Sequence, residues 1–461
     1  MVNSILAAIV NLLLVFALAL PAAAQTEVER EKRLAELERK IKLLDSAFAS
    51  SGTGDFDQRL LAAERKIDEL LGKPPATTLA GTTPAVLEAG PPAEAASSPL
   101  QSVSIKGDYQ TSDEGETRLP VAGYMDAHFN KNSGEPGVAD FHRFVLLFGH
   151  SFSSRIKFWS ELEVEHALVE GEERLGEVAL EQAYLDFLIT PRFNLRAGMV
   201  LTPIGIVNER HEPPSFNGVE RPFVETVIIP ATWREMGVGF TGDLGRGFRY
   251  RAYMLSALDP LGFNAESGIT EGRRSGFDAA FRNPAFAGRL EYAGVRRLTL
   301  GLSSYTGIAS SQNLAVTPRV SIAAIDGRYS FRRLDFRALL ANTWISRTRE
   351  LNLALERRFG LNPNIARVMR GYYVEPAVHI LPRRIRHDLA LFTRYERYNT
   401  QQQMASGFVP LPEFNRRSVV TGVTYKPNAD VAIKFDYVFN SNASTVVRAV
   451  NGLNLGIGWW F

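Results

Sequence analysis

Cysteine is absent from the 461 residues of this chain. That excludes disulfides, thiolate nucleophiles and thiolate zinc sites. Histidine is scarce, seven in all, and the seven show no HExxH or comparable metal-ligand spacing. No metal site is expected. A GxSxG nucleophile signature is missing as well, so the sequence predicts no catalytic residues, no cofactor and no enzyme activity. Charge of a single sign is also lacking: 52 Lys+Arg face 50 Asp+Glu, a formal net charge of +2. A chain so balanced is not a general polyanion binder, and nucleic acid is not an expected partner. After residue 21 nothing approaches the roughly 20 consecutive apolar residues of a membrane helix.

The chain opens with an apolar run over residues 5–20, broken only by Asn11 and followed by Pro21 and three alanines. This predicts a signal peptide over 1–24, cleaved after Ala24, although no Lys or Arg precedes the run. Leu34, Leu37, Ile41, Leu44 and Phe48 then alternate at three- and four-residue spacing. Phe56, Leu60, Ala63, Ile67 and Leu70 repeat the pattern, with charges between. Such heptads predict a coiled coil over 25–72, placed in the periplasm. Residues 73–118 are rich in proline and alanine and read as a linker.

From 119 to 461 strand-like segments alternate with turns. The period-2 pattern is clear in three of them. Val431, Ile433, Phe435, Tyr437 and Phe439 oppose Lys434 and Asp436. Ile156, Phe158, Leu162 and Val164 oppose Lys157, Glu161, Glu163 and Glu165. Leu453, Leu455, Ile457, Trp459 and Phe461 oppose Asn454, Gly456 and Gly458. Strands of about ten residues, apolar on one face and polar on the other, predict an all-β transmembrane barrel with a wet interior. Arginine is expected to be costly at Ile433, on the lipid side, and tolerated at Ala432, on the lumen side. Sixteen antiparallel strands are counted. Gaps after even-numbered strands are short, and those after odd-numbered strands are long. That is the asymmetry of bacterial outer-membrane barrels, whose turns are periplasmic and loops external.

The longest of these gaps, 202–232, is rich in proline and glycine yet carries many apolar residues, among them Ile204, Ile206, Phe216, Phe223, Ile228 and Ile229. So much apolar surface needs burial, and a sixteen-stranded barrel is too wide for wall side chains to fill. The segment is therefore expected to fold into the lumen and narrow it. Glu209, Arg210, Glu212, Glu220 and Arg221 are its candidate pore-facing charges. Segments DFHRFVLLFGHSF (140–152), SELEVEHAL (160–168), LEQAYLDF (180–187) and HEPPSFNGVERPFVETVIIPATWREMGVG (211–239) resemble outer-membrane porins. The likeness is to the phosphate-selective porin (O and P type) group and its coiled-coil-bearing relatives. It implies a homotrimeric diffusion channel in the outer membrane of a Gram-negative bacterium. It also implies that Phe461 is the C-terminal signature read by the outer-membrane assembly machinery. The phosphate-binding arginine ladder and lysine cluster of better-known members have no residue-by-residue counterpart here.

Charge is unevenly shared along the barrel. Residues 102–288 carry 18 Lys+Arg and 26 Asp+Glu, a net of −8, whereas 289–461 carry 24 and 11, a net of +13. Across a closed barrel this predicts an acidic wall (Glu161, Glu163, Asp186) facing a basic one (Arg319, Arg337, Arg394, Lys434), with a transverse field between them. Arg347, Arg349, Arg357, Arg358 and Arg367 are assigned instead to external loops. The expected partners are the lipid bilayer with its outer-membrane lipids and small hydrophilic solutes, with small anions such as phosphate or dicarboxylates favoured by the arginine excess. A structural tether using the coiled coil is the alternative function, and a barrel-embedded enzyme a further one.

Overall fold

The computed structural model describes residues 121–166, 177–276, 283–382 and 387–461. The leader, coiled coil and linker expected before the barrel lie outside the described residues. The first quarter of the sheet is β1 (Val121–Asn132), β2 (Val138–Ser151), β3 (Ile156–Glu165) and β4 (Glu177–Thr190). Next come β5 (Phe193–Leu201), β6 (Arg234–Gly245), β7 (Phe248–Leu255) and β8 (Ala285–Tyr292). Then follow β9 (Leu298–Ile308), β10 (Arg319–Phe331), β11 (Leu334–Ile345) and β12 (Val368–His379). The last four are β13 (Asp388–Gln403), β14 (Asn415–Lys426), β15 (Val431–Asn442) and β16 (Gly452–Trp460).

Each strand pairs antiparallel with its sequence neighbours, and β1 pairs with β16 from Tyr124↔Trp460 to Asn132↔Gly452, so the sheet closes. Closure leaves no unpaired edge, which is what a sheet in hydrocarbon requires. The seam runs to the last residue: Phe461 N–H donates to Gly123 O at 2.9 Å, and Gly123 N–H donates back at 3.0 Å. The alternation read from the sequence separates the two faces. Ile433, Phe435, Leu455, Ile457 and Phe461 are exposed on the outside, while Lys434, Asp436 and Asn454 are buried on the inside. Ala432 is fully buried. That burial counts against the tolerance of arginine expected there.

The connections 191–192, 246–247 and 332–333 are two-residue hairpins at one end of the barrel. In 246–247 both central residues have positive φ, Arg246 at 53° and Gly247 at 84°, as a type I′ turn demands. The long connections 202–233, 256–284 and 346–367 share the other end. The asymmetry is not strict, because 133–137 is shorter than 380–387.

The interior departs from the wet lumen expected. Val320, Ile322, Ala324, Leu339, Ala341 and Ile345 turn inward from β10 and β11 and are buried. They share one apolar cluster with Ile204, Val224, Ile228 and Trp233 of 202–233 and with Leu258, Phe263 and Ile269 of the next long connection. A helix not anticipated from the sequence, α1 (Thr348–Phe359), adds Leu351 and Leu355 to that cluster. It ends on Gly360 at φ 67°, whose N–H donates to Glu356 O.

Candidate functional site: the 202–233 segment and the wall it meets

The segment is fixed at its own ends first. Thr202 N–H donates to Trp233 O at 2.8 Å. The Asn208 amide donates to Thr202 O and Trp233 O and accepts from Trp233 N–H, at 2.7, 3.0 and 2.7 Å. Deeper in, Glu225 Oε2 accepts the N–H groups of Ile206 and Val207, both at 2.7 Å, and its Oε1 accepts Tyr373 Oη–H at 2.7 Å. Burial pushes the Glu225 carboxyl up to about 7, with these three donors opposing the rise.

Beyond these clamps, the segment meets inner-face side chains spread around the sheet. Towards β1, β3 and β4, His211 Nε2 lies 3.0 Å from Tyr124 Oη, 3.0 Å from Glu181 Oε2 and 3.7 Å from Glu161 Oε1. Burial works against a charged imidazole there, but the adjacent Glu181 and Glu161 carboxylates outweigh it and lift His211 to about 9. Glu209 pairs with Arg251 of β7 at 3.1 Å.

On the other side, Arg337 of β11 donates to Ser215 O at 3.1 Å and Lys426 of β14 to Pro214 O at 2.6 Å. Arg394 of β13 reaches the carbonyls of Asn217 and Glu220, both at 3.3 Å. Carboxylates receive the rest: Val219 N–H donates to Asp436 at 2.6 Å, Val224 N–H to Glu396 at 3.0 Å, and the Asn217 amide to Glu375 at 3.0 Å. Two inner-face glycines of β16 make room for this path. A Cβ at Gly458 would stand 2.4 Å from Pro213 Cβ, and one at Gly456 would stand 3.0 Å from the Val219 side chain.

The residues expected at the constriction have different surroundings. Glu220 accepts from Asn130 at 3.0 Å and faces His128 Nδ1 at 3.3 Å, both on β1. Arg221 donates to Thr232 within the segment at 3.3 Å. Arg210 and Glu212 present their carbonyls to the Ser215 hydroxyl. With Glu209, Glu161, Asp186 and Arg196, both line a cavity of about 320 Å³ between the segment and β3–β5.

On the wall, Asp186 is held by Arg196 through two bonds of 2.7 and 2.8 Å, and Glu163 lies 3.7 Å from Arg143. Arg394 is fully buried and paired with Glu396 at 2.7 Å and Glu375 at 3.1 Å. Lys434 sits 3.9 Å from the Phe216 ring centroid, a cation–π contact. Arg319 needs correction: it is exposed at the start of β10, on the face of Ile325 and opposite buried Val320. Two walls of opposite sign therefore blur, because Asp186, Glu163 and Arg394 each stand beside an opposite charge on their own side of the barrel. Glu375, Glu396 and Asp436, on the side expected to be basic, were readable from strand parity. His211 and Glu225 carried no such signal, since both belong to the irregular segment.

The class this fold defines is a closed sixteen-stranded antiparallel β-barrel. A solved structure of OmpF from Salmonella typhi matches with a TM-score of 0.51 at 14% identity, covering 74% of this chain and 97% of that one. The outer-membrane channel DcaP of Acinetobacter baumannii matches with a TM-score of 0.49 at 12% identity, covering 75% and 97%. No family model matches the chain. In sequence, it is 34% identical over 333 residues to an uncharacterized protein of Aquifex aeolicus strain VF5, spanning 69% of this chain and 75% of that protein. The chain belongs to the same family as that Aquifex aeolicus protein.

Proposed function

We propose that the protein is an outer-membrane porin, a passive diffusion channel for small hydrophilic solutes. Its lumen is narrowed by residues 202–232 folded inside the barrel. The observation that carries this reading is the ring of partners around the segment: inner-face groups of β1, β4, β7, β11, β13, β14 and β15 all bond to this one stretch. A segment lying outside a closed barrel cannot reach such a set. The exposed apolar outer face supports a lipid surround, and hence the outer membrane.

Solutes passing the segment meet half-buried Arg196, Arg251 and Arg337 beside Glu209, Asp186 and Glu220. Of the four wall cations expected, only Arg337 is placed to bias small anions: Arg394 is locked in pairs, Lys434 lies under Phe216, and Arg319 faces out. Assembly as a homotrimer, with the periplasmic coiled coil of 25–72 and recognition of Phe461 during insertion, completes the proposal. Reconstitution in planar bilayers tests it. Discrete ohmic conductance steps are expected, and an absence of conductance from correctly folded protein refutes it.

A further inference from the structure

Three of the seven histidines converge where β1, β2 and β3 run towards the long connections. His128 and His142 have ring centroids 4.7 Å apart, and His142 and His166 5.2 Å apart. Carboxylates interleave them. Asp126 lies 2.7 Å from His128 Nε2 and 3.3 Å from His142 Nδ1, while Glu165 lies 3.2 Å from His142 Nε2. Asp140 sits 2.8 Å from His166 Nδ1, and Glu220 of the 202–233 segment 3.3 Å from His128 Nδ1.

Local backbone irregularities build this ladder. Asp126 pairs with Arg143 and His128 with Asp140, so Phe141 and His142 together oppose the single residue Ala127. That is a β-bulge, a device that re-aims a side chain. It sends Phe141 outward, where it is exposed, and leaves His142 on the inner face beside Arg143. His166 has φ 48°, uncommon for a residue with a side chain, and its N–H donates to His142 O at 3.0 Å.

We propose that this ladder binds a divalent transition-metal ion of the zinc class, with His142 as the shared ligand. Two overlapping ligand sets, Asp126–His128–His142 and His142–Glu165–His166, each bring their donor atoms within 4.8 Å of one another. Ligands around one zinc at about 2.0–2.2 Å stand up to roughly 4 Å apart, so small rotamer adjustments suffice. Imidazole with carboxylate suits zinc, nickel or copper, whereas magnesium and calcium prefer oxygen donors alone. Carboxylates on the remaining imidazole nitrogens would fix the ring orientations, the role of outer partners in metal sites. His142 is half-buried and His166 half-exposed, so an ion has access from solvent. Because Glu220 abuts His128, the bound ion would also tie the 202–233 segment to β1.

The test uses the purified full-length protein in detergent, titrated with zinc, and with cobalt as a spectroscopic stand-in, against a magnesium control. Wild type is expected to bind zinc, at most one equivalent for each ligand set, and to give a cobalt d–d spectrum that zinc abolishes. His142→Ala should weaken zinc binding by about tenfold or more. His166→Gln, at a strand end where folding is least at risk, should weaken it too. His379→Gln, in the separate Asp335–Asp388 cluster, should leave it unchanged. Equal zinc affinity in wild type, His142→Ala and His166→Gln would overturn the proposal, as would wild type taking up no zinc.

Discussion

Arg394→Leu probes the joint between the segment and the wall. The guanidinium is fully buried and donates to Glu396 at 2.7 Å, Glu375 at 3.1 Å and two segment carbonyls at 3.3 Å. Leucine keeps most of the apolar stem and donates nothing, so two buried carboxylates lose their counter-charge. Removing one member of a buried ion pair costs about 3–5 kcal/mol. Here the carboxylates keep other donors: Glu396 retains the Val224 N–H, and Glu375 retains the Asn217 amide with Arg337 at 4.0 Å. The loss should therefore fall near the lower bound, about 3 kcal/mol. Urea unfolding in detergent, followed by the gel shift between folded and unfolded barrel, measures it. Replacing Glu396 by leucine as well removes an orphaned charge and should restore part of the loss, giving a non-additive cycle. Because residues 217–220 lose a tether, single-channel conductance should rise in Arg394→Leu. Stability within about 0.5 kcal/mol of wild type, the range of an uneventful surface change, together with unaltered conductance, would refute the reasoning.

Three more outcomes are expected. His211 carries a raised pKa of about 9 against an ordinary value of about 6.5. Its contribution to seating the segment is thus complete below about pH 6.5 and lost as pH rises through about 9. Melting temperature should fall over that window in wild type and change less in His211→Gln. Arg337→Glu should move the reversal potential under a salt gradient towards cation preference, and an unmoved potential removes Arg337 from the solute path. Ile433→Arg, on the exposed face of β15, should cost about 2–4 kcal/mol if it lies near the bilayer midplane, read from the same unfolding assay in lipid vesicles.

The barrel was legible because its strands obey one simple period. In β15 and β16 apolar and polar residues alternate without ambiguity, and the burial of Lys434, Asp436 and Asn454 follows. β10 shows where this fails. Val320, Ile322 and Ala324 are apolar, but so are Ala323 and Ile325 across from them, so parity does not say which face is inside. Arg319, the first residue of that strand, was accordingly assigned to the wrong face; a one-residue slip exchanges every side chain. Helix α1 carried its own signals, Leu351 and Leu355 four apart and Gly360 after the last turn, yet it lay in a stretch read only as a gap between strands. The histidine ladder was beyond any spacing rule. Its members come from three neighbouring strands and from His166, just past the third, and its central member reaches the inner face through a bulge that period-2 reading does not anticipate. Burial of the 202–232 apolar residues, by contrast, followed from composition alone, while their exact partners required the registers of distant strands.

On the function proposed, residues 202–232 form the narrowest part of a conducting lumen. Deleting 209–221, with a short glycine–serine bridge joining 208 to 222, removes the contacts to β7, β11, β14 and β15 but leaves the Asn208 and Glu225 clamps in place. Single-channel conductance of this variant in a planar bilayer, compared with wild type in the same salt, is the most direct measurement. Conductance should rise clearly, with the barrel still folded. Unchanged conductance from a folded variant would contradict it.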